Sequence, residues 1–533
     1  MNKISILLLA VFICSYVHSQ QPSFVDGYHG GIYGHYPVKW KTQFIVDQLT
    51  MHPDWRICME IEPETWDTVQ VQTPEAYRQF KNLAASEQVE FTNPTYAQPY
   101  CYNISGESII RQFQYGISKI NKHFPEVSFL TYSVEEPCFT SCLPQILKSL
   151  GFKYAVLKCP NTCWGGYTSA YGGELVNWIG TDGTSILTVP RYACEKLERG
   201  STWQTTAWGN SEEYLNACRD AGIEHPVGMC FQDAGWKNGP WLGSGKKIKN
   251  NSKYVRWKDY IENISIGKTD DDYHFSQEDM RVNLMWGSQV MQRIAQEVRT
   301  SENKIVMAEK MSVIAHLENG YSYAQADVDE AWRTLMLAQH HDSWIVPYNG
   351  LHRYGTWADA IKRWTDQTNT IADKITEASV RSFDQGNTPV DSQQGYIRVY
   401  NTLGIQRTEM MNILLPDGYA DDELEVCKGK KIGYSIEREG EKTRLFFEAE
   451  VPPFGYSTYR IKQKKSGKRT VSGGQCAVNE REYIVENELY KIVFDLSKGG
   501  IIKSLIAKKE GNKDFAKQSG EYALGELRGY FYE

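Results

Sequence analysis

The sequence predicts a multidomain α/β chain in which a parallel β/α domain is followed by a helical bundle and then by an all-β domain. Short apolar strands alternate with helical patterns from Ser23 to about Asp233, as in a parallel sheet or barrel. Residues 276–382 have a helical pattern, and glycine and proline are almost absent between 287 and 346. After residue 389 apolar and polar residues alternate, as in strands. The length of 533 residues suits about three domains.

The first 19 residues have the features of an export signal. Lys3 supplies the positive charge, residues 4–17 form an apolar segment, and an acceptable cleavage site ends at Ser19. The apolar segment has only about 14 residues, which is short for a membrane-spanning helix. We therefore expect a periplasmic or secreted protein without a membrane span.

Charge and composition limit the classes of molecule that the chain is expected to bind. The chain carries 58 Lys and Arg against 65 Asp and Glu, which gives a formal net charge of −7. Because there is no basic excess to hold a phosphate backbone, nucleic acid is not expected as a partner. Aromatic residues make up 13% of the chain. That content fits either a carbohydrate ligand stacked on aromatic rings or simply large apolar cores.

The cysteines do not have the spacing of a zinc ribbon. Twelve are present, and removal of the predicted signal with Cys14 would leave eleven, so at least one thiol is unpaired. The pairs Cys138/Cys142 and Cys159/Cys163 are spaced CxxxC rather than CxxC. We interpret them as core thiols or disulfides.

Acidic residues and a histidine follow the predicted strands of the first domain. Asp26 and His29 come after the first strand, Glu135 and Glu136 follow a later strand, and Asp233 ends another. In parallel β/α folds, active sites form at the carboxyl ends of strands. Each residue is a weak signal alone, since an adjacent pair such as Glu135 and Glu136 often has one solvated member. Their repetition at strand ends is typical of an enzyme.

A second cluster lies in the helical region. His340, His341 and Asp342 end a helix predicted from Val328 to His341, for which Asp327 with Glu330 forms an N-terminal cap. Histidines beside a carboxylate suit a metal ion or sugar hydroxyls. Two histidines at the end of a helix are also explained by favourable interaction with the helix dipole.

Six segments, in order along the chain, resemble glycoside hydrolase family 38, the class II α-mannosidases. The chain is similar to a divergent, bacterial-type member of that family, and the resemblance runs from about residue 40 to the C-terminus. The segments are TSCLPQILKSLG (140–151), WIGTDGTSIL (178–187), AWRTLMLAQHHDSW (331–344), VYNTLGIQRTE (399–409), VPPFGYSTYRI (451–461) and ENELYKIVFD (486–495).

The resemblance implies a domain order that agrees with the pattern above. Residues 20–275 would form a seven-stranded parallel β/α barrel that carries the active site, residues 276–383 a three-helix bundle, and residues 384–533 a β-sandwich. Residues 525–533 have the pattern of a strand without a turn or polar tail after it. We therefore expect the sandwich to be incomplete as it stands, with an open edge near Leu527 and exposed aromatic residues.

The resemblance also implies retaining hydrolysis of α-mannosidic bonds in oligosaccharides or glycans. The nucleophile of the family falls on Glu135, where the family has aspartate, and its acid/base residue falls on Asp233. Sugar contacts would come from Asp342, His340 and Trp66; for Trp66, a place in the apolar core is an equal alternative.

One divalent metal ion, with zinc as the natural choice, is implied by the same resemblance. Its ligands would be Asp26, His29, Glu135 and His341. The family's first-strand His-x-Asp pair is absent, and residues 26–31 (DGYHGG) stand in its place. His35 is a second candidate for the first-strand histidine.

Two other functions remain open at this point. A non-catalytic carbohydrate-binding relative is favoured by the altered first-strand motif, and turnover of aryl α-mannosides together with metal content would distinguish it. A metal-dependent polysaccharide deacetylase fits the barrel, the metal and export, but the three β-region segments argue against it. Release of acetate rather than sugar would favour that reading.

Overall fold

The structure is a computed structural model. It describes residues 21–32, 41–136, 138–159, 171–201, 204–233, 239–241, 251–267, 269–276, 279, 288–323, 325–345, 347–348, 350, 355–384, 394–416, 423–439, 442–464, 475–479, 481–516 and 523–527. The predicted export signal, His35 and the aromatic residues 530–532 lie outside this range. The chain divides into two compact units, residues 1–383 and residues 384–533. No described helix combines the length and apolar character that crossing a membrane requires.

The first unit contains strands and helices in alternation. Its described strands are β1 (Ser23–Gly30), β2 (Ile57–Ile61), β3 (Val89–Phe91), β4 (Thr131–Tyr132), β5 (Tyr154–Val156), β6 (Val176–Ile179), β7 (Ser185–Val189), β8 (Val227–Asp233), β9 (Lys253–Tyr254) and β10 (Asp272–Tyr273). Its described α-helices are α1 (Thr42–Met51), α2 (Glu64–Gln72), α3 (Pro74–Leu83), α4 (Gly106–His123), α5 (Leu143–Ser149), α6 (Glu212–Asp220), α7 (Trp257–Asp259), α8 (Ser288–Asn319), α9 (Gln325–Ala338), α10 (His341–Ile345) and α11 (Trp357–Ser382).

A parallel sheet with the strand order β3-β2-β1-β8 positions the predicted strand-end residues. All eight residues of β1 are buried, as expected for a strand covered on both faces. In the register of this sheet, His29 is the partner of Glu60 on β2 and of Asp233 on β8. Because these strands are parallel, their carboxyl ends meet at one edge, and that edge carries three of the acidic or basic groups considered below.

The second sheet has the order β10-β6-β7-β5-β4, with only the β6–β7 pair antiparallel. The Ser133 amide donates to the Thr92 carbonyl at 3.2 Å, so the ends of β4 and β3 are adjacent. Within the described residues, the strand ladders form two sheets rather than one continuous ring. A closed seven-stranded barrel therefore stays a prediction.

Three long helices, α8, α9 and α11, pack against one another. Thr334 and Thr368 share a hydrogen bond of 2.8 Å between α9 and α11, and Lys304 pairs with Asp373 at 2.7 Å between α8 and α11. The predicted cap at Asp327 is wrong, because α9 already begins at Gln325 and Asp327 lies in its first turn.

The predicted end of α9 is also corrected. The helix stops at Ala338, and the backbone of His340 forms an antiparallel bridge with Pro99. This pairing takes the chain out of the helical path before His341. His341 instead begins the short helix α10.

The second unit is antiparallel throughout its described ladders. Its strands are β11 (Gln394–Asn401), β12 (Arg407–Leu414), β13 (Glu423–Lys428), β14 (Lys430–Ile432), β15 (Tyr434–Glu439), β16 (Lys442–Val451), β17 (Gly455–Lys464), β18 (Gln475–Val478), β19 (Glu482–Glu486), β20 (Tyr490–Asp495), β21 (Ile501–Ala507) and β22 (Lys513–Asp514). They form the sheets β11-β17-β13-β14, β12-β16-β15 and β18-β19-β20-β21-β22. Side chains of the first two sheets, including Val426, Phe447 and Tyr459, share one core. Leu527, beyond the last strand, is 98% exposed.

Of the two alternatives for Trp66, the structure supports a place in the aromatic core over stacking on a sugar. Its side chain is completely buried on α2. The ring stacks on Phe80 at a centroid distance of 4.7 Å and meets the edge of Phe124 at 4.9 Å. The apolar rings of neighbouring elements therefore cover both the face and the edge that a sugar would need.

The substitution Trp66→Ala should lower the free energy of unfolding by about 3–5 kcal/mol, because it leaves a large cavity. Chemical denaturation checks this. Val71→Ala on the same helix is the control, since Val71 is 81% exposed and surface changes stay within about 0.5 kcal/mol. Unchanged stability together with lost sugar binding would support the original expectation instead.

Candidate active site and metal centre

Buried histidines and carboxylates converge at the carboxyl edge of the first sheet. His29 lies at the end of β1, Glu135 follows β4, and His341 and Asp342 begin α10. All four side chains are buried. In the sequence they lie at three places, each more than 100 residues from the next, and the fold brings them together at the strand ends.

The ligand atoms of this cluster face one another. His29 Nε2 lies 3.2 Å from His341 Nε2. Asp342 Oδ1 is 3.6 Å from His341 Nε2, and Glu135 Oε2 is 3.6 Å from His29 Nε2. One ligand atom from each of His29, His341 and Asp342 lies within 4.8 Å of the other two. We call His29, Glu135, His341 and Asp342 the four-residue cluster.

The hydrogen bonds made by Nδ1 identify the tautomer of His29 and of His341. His29 Nδ1 faces Glu60 Oε2 at 3.0 Å, and His341 Nδ1 faces the Gln98 carbonyl at 2.7 Å. Both partners are acceptors, so each Nδ1 carries the proton and donates it. Each Nε2 then presents a lone pair to the other.

Two facing lone pairs at 3.2 Å repel unless a proton or a cation lies between them. Burial lowers the pKa of His341 to about 3, so this ring does not take up a proton at neutral pH. Imidazole nitrogens and carboxylate oxygens are the ligands that zinc takes in proteins. The donor set of the four-residue cluster therefore fits a divalent metal ion.

Glu60 is a site residue that the sequence prediction missed. Its Oε2 accepts the Glu135 amide at 2.8 Å besides facing His29, and its Oε1 accepts from Asn93 Nδ2 at 2.7 Å. Glu60 thus orients a histidine ring and holds the backbone of Glu135. The available signal was a pair of glutamates, Glu60 and Glu62, at the end of an otherwise apolar strand.

Gln98 presents its carbonyl to His341 from a strained backbone. Its φ is 48°, in the left-handed region that non-glycine residues seldom adopt. Its side chain donates to the Glu60 carbonyl at 2.8 Å, which helps to hold this conformation. Such strain persists where the surrounding structure compensates it, often at functional sites.

Asp26 does not join the four-residue cluster, which corrects its assignment as a ligand. One oxygen accepts from the Gly27 amide and Gln232 Nε2, both at 2.9 Å. The other accepts from Trp55 Nε1 at 2.9 Å and the Trp241 amide at 2.8 Å. Three residues along a strand reverse the face, so Asp26 points away from His29. Burial raises the pKa of Asp26 to about 6.

The first strand lacks a second ligand for a steric reason. With His29 placed on the histidine of the family's His-x-Asp pair, the aspartate position falls on Gly31. A Cβ there would lie 1.8 Å from Glu62 Oε2, and the φ of Gly31 is +143°. The carboxylate of Glu62 occupies the volume that a side chain at Gly31 would need.

His340 supports the site instead of contacting a sugar as predicted. Its Nε2 lies 2.8 Å from Glu62 Oε1, and its Nδ1 accepts the Asp342 amide at 3.1 Å. The ring is buried and stacks on His341 with a centroid distance of 4.8 Å. Asp342, predicted to bind sugar, lies among the potential metal ligands.

Asp233 ends β8 beside His29 in the sheet register. Its backbone therefore lies at the same edge as the four-residue cluster, while its side chain is outside the described part of the chain. Glu136 is buried next to Glu135, and its Oε2 accepts from the Tyr100 hydroxyl at 3.3 Å.

The fold and the site define an α/β protein with a buried histidine–carboxylate centre at strand ends. Residues 40–258 match the family profile described as the glycosyl hydrolases family 38 N-terminal domain. The match confirms, over residues 40–258, the family resemblance that the sequence predicted.

Two solved structures have a similar fold. An alpha-mannosidase from Enterococcus faecalis V583 has a TM-score of 0.59 and 13% identity, covering 92% of this chain and 61% of that one. A glycosyl hydrolase family 38 protein from Enterococcus faecalis has a TM-score of 0.58 and 14% identity, covering 93% and 60%. This chain thus spans about three fifths of each. The multidomain α/β fold with a parallel sheet and several antiparallel sheets is confirmed.

No curated protein is similar enough in sequence to count as a match.

With zinc added as the probe metal, the substitution Glu60→Gln should weaken binding by about 10–100-fold, as loss of a carboxylate behind a ligating histidine does. Competition with a chromophoric chelator measures the affinity. Glu90→Gln is the matched control, because Glu90 is buried on the neighbouring strand β3, where its Oε2 accepts from the Lys258 amide at 3.2 Å. Equal losses in both variants, or no loss in Glu60→Gln, would contradict the positioning role of Glu60.

Proposed function

We propose that this protein is a retaining glycoside hydrolase that cleaves α-mannosidic bonds of oligosaccharides or glycans with the help of one divalent metal ion. The observation that carries the proposal is the four-residue cluster, buried at the strand ends of a family 38 domain. An exported protein, as its N-terminal segment predicts, would meet such substrates in the periplasm or outside the cell.

Zinc would be held by His29, His341, Asp342 and Glu135. Once bound, a zinc ion supplies Lewis-acid contact to sugar hydroxyls. Glu60 orients the ring of His29, and the Gln98 carbonyl orients the ring of His341. Both Nε2 lone pairs are therefore directed toward the metal position. Since Asp342 supplies a carboxylate from α10, the ligand set does not need a second residue from the first strand.

Glu135 would attack the anomeric carbon and form a covalent glycosyl-enzyme. Its amide is held by Glu60, and its carbonyl is contacted by the Cys159 thiol. Both contacts fix the backbone from which the carboxylate reaches the substrate, which favours attack from one geometry. Glutamate is one methylene longer than the family's aspartate, and either acid can form the ester.

Asp233 would protonate the leaving oxygen and then deprotonate the attacking water. Its place beside His29 in the sheet register supports this role, because Glu135 contacts the ring of His29. Retaining enzymes hold the two carboxyl groups about 5–5.5 Å apart, against about 6.5–9.5 Å in inverting ones. We expect the shorter separation with substrate bound.

The second candidate is a non-catalytic carbohydrate-binding relative. It is favoured by the replacement of the expected first-strand aspartate by Gly31, whose side-chain volume Glu62 fills. Binding of mannosides without any turnover by the metal-loaded protein would support this candidate over the hydrolase.

Hydrolysis of an aryl α-mannoside should release α-mannose first, because two displacements restore the configuration. Proton NMR in the first minutes distinguishes the anomers.

Glu135→Gln should lower kcat roughly 10³-fold or more, as loss of a nucleophile does, while Glu136→Gln should stay within about tenfold. Release of the β anomer, or equal losses in both variants, would overturn the assigned roles.

Protein purified without chelator should contain about one zinc ion per chain. His341→Ala should lose it while keeping its circular dichroism spectrum. Asp26→Asn should keep the metal but unfold at a lower temperature, because an amide cannot accept all four hydrogen bonds that the carboxylate receives. Elemental analysis decides: a chain without metal whose activity survives chelation would refute metal assistance.

A further inference from the structure

Two thiols outside the candidate site lie almost at bonding distance. Cys194 follows β7, and Cys218 lies on α6. Their sulfur atoms are 3.6 Å apart although the residues are 24 positions apart in sequence. A disulfide bond is about 2.0 Å long, so the sulfurs need to approach by only about 1.6 Å. The sequence patterns singled out the CxxxC pairs and gave no sign of this one.

The two cysteines differ in a way that suits stepwise oxidation. Cys218 is fully buried, whereas Cys194 is half-buried and within reach of solvent. A hydrogen bond from Cys218, together with the nearby ammonium group of Lys158, lowers the pKa of Cys194 to about 7. The accessible sulfur is thus the better nucleophile, and the buried one is placed to resolve a mixed disulfide.

We propose that Cys194 and Cys218 are a redox pair that closes to a disulfide in an oxidising compartment. The oxidant is a small disulfide, of which oxidised glutathione is the probe. The Cys194 thiolate attacks it, forming a mixed disulfide and releasing one thiolate. The Cys218 thiol then gives its proton to the thiolate released in the first step and attacks the Cys194 sulfur, which expels the second thiolate. Two protein thiols are oxidised and one external disulfide is reduced.

The bond would fix a segment that already carries a buried ion pair. Glu195, next to Cys194, pairs with Lys158, and both side chains are completely buried. Glu195 Oε2 also accepts from the Thr205 hydroxyl at 3.2 Å. A cross-link to α6 holds Glu195 against Lys158 and removes freedom from the unfolded chain. The oxidised protein should therefore be the more stable form, whatever reaction the protein catalyses.

Incubation of the full chain with oxidised glutathione, followed by alkylation under denaturing conditions, tests the pair. We expect a protein that carries two alkyl groups fewer than the reduced control and that yields a cross-linked Cys194–Cys218 peptide. The oxidised form should have a Tm about 5 °C or more above the reduced form. The double variant C194S/C218S should show no redox-dependent Tm, and C427S, a buried cysteine of the second unit, should keep the shift.

Alkylation of both Cys194 and Cys218 after oxidation would overturn the proposal, as would a cross-link to other cysteines in their place. So would a Tm difference that persists in the double variant. If the double variant does not fold, the single variant C194S decides. In this variant Cys218 should form no intramolecular disulfide. Its Tm should equal that of the reduced protein both with and without oxidised glutathione.

Discussion

The carboxylate of Glu60 is the group on which the candidate site depends. Three donors converge on it: the ring of His29, the backbone amide of Glu135 and the side-chain amide of Asn93. Since the side chain is fully buried, these donors replace the water that would otherwise solvate it. One group therefore sets a histidine tautomer and anchors the backbone of the proposed nucleophile at the same time.

Glu62 and Glu64, which follow Glu60 in the sequence, likewise bind groups of the helical part of the same unit. Glu62 contacts His340 at 2.8 Å, and Glu64 receives Arg333 Nε at 2.5 Å. A buried carboxylate without a partner is costly, so each of these residues is stable only where its partner is in place. The end of β2 and the start of α2 thereby fix the position of α9. That position determines where His341 lies.

A local break in regular structure completes the arrangement. Gln98 adopts a left-handed conformation, and the adjacent Pro99 pairs with the backbone of His340. These two features end α9 early and aim a carbonyl at His341 Nδ1. The cost of the strain is offset by the hydrogen bond from the Gln98 side chain to Glu60. The geometry of the four-residue cluster thus depends on irregular backbone as much as on sheet and helices.

The sequence by itself determined the order of architectures, the family resemblance of residues 40–258, the strand-end groups and the His340–Asp342 segment, because hydrophobic periodicity and ordered motifs are local. Glu135, His29 and His341 could be selected in this way. Tertiary structure decided which groups meet. Asp26 and Trp66 carry suitable chemistry, yet the strand pleat turns the first away from His29 and aromatic packing encloses the second. Glu60 and Asp342 acquire their places only through contacts between distant segments, which no local pattern encodes.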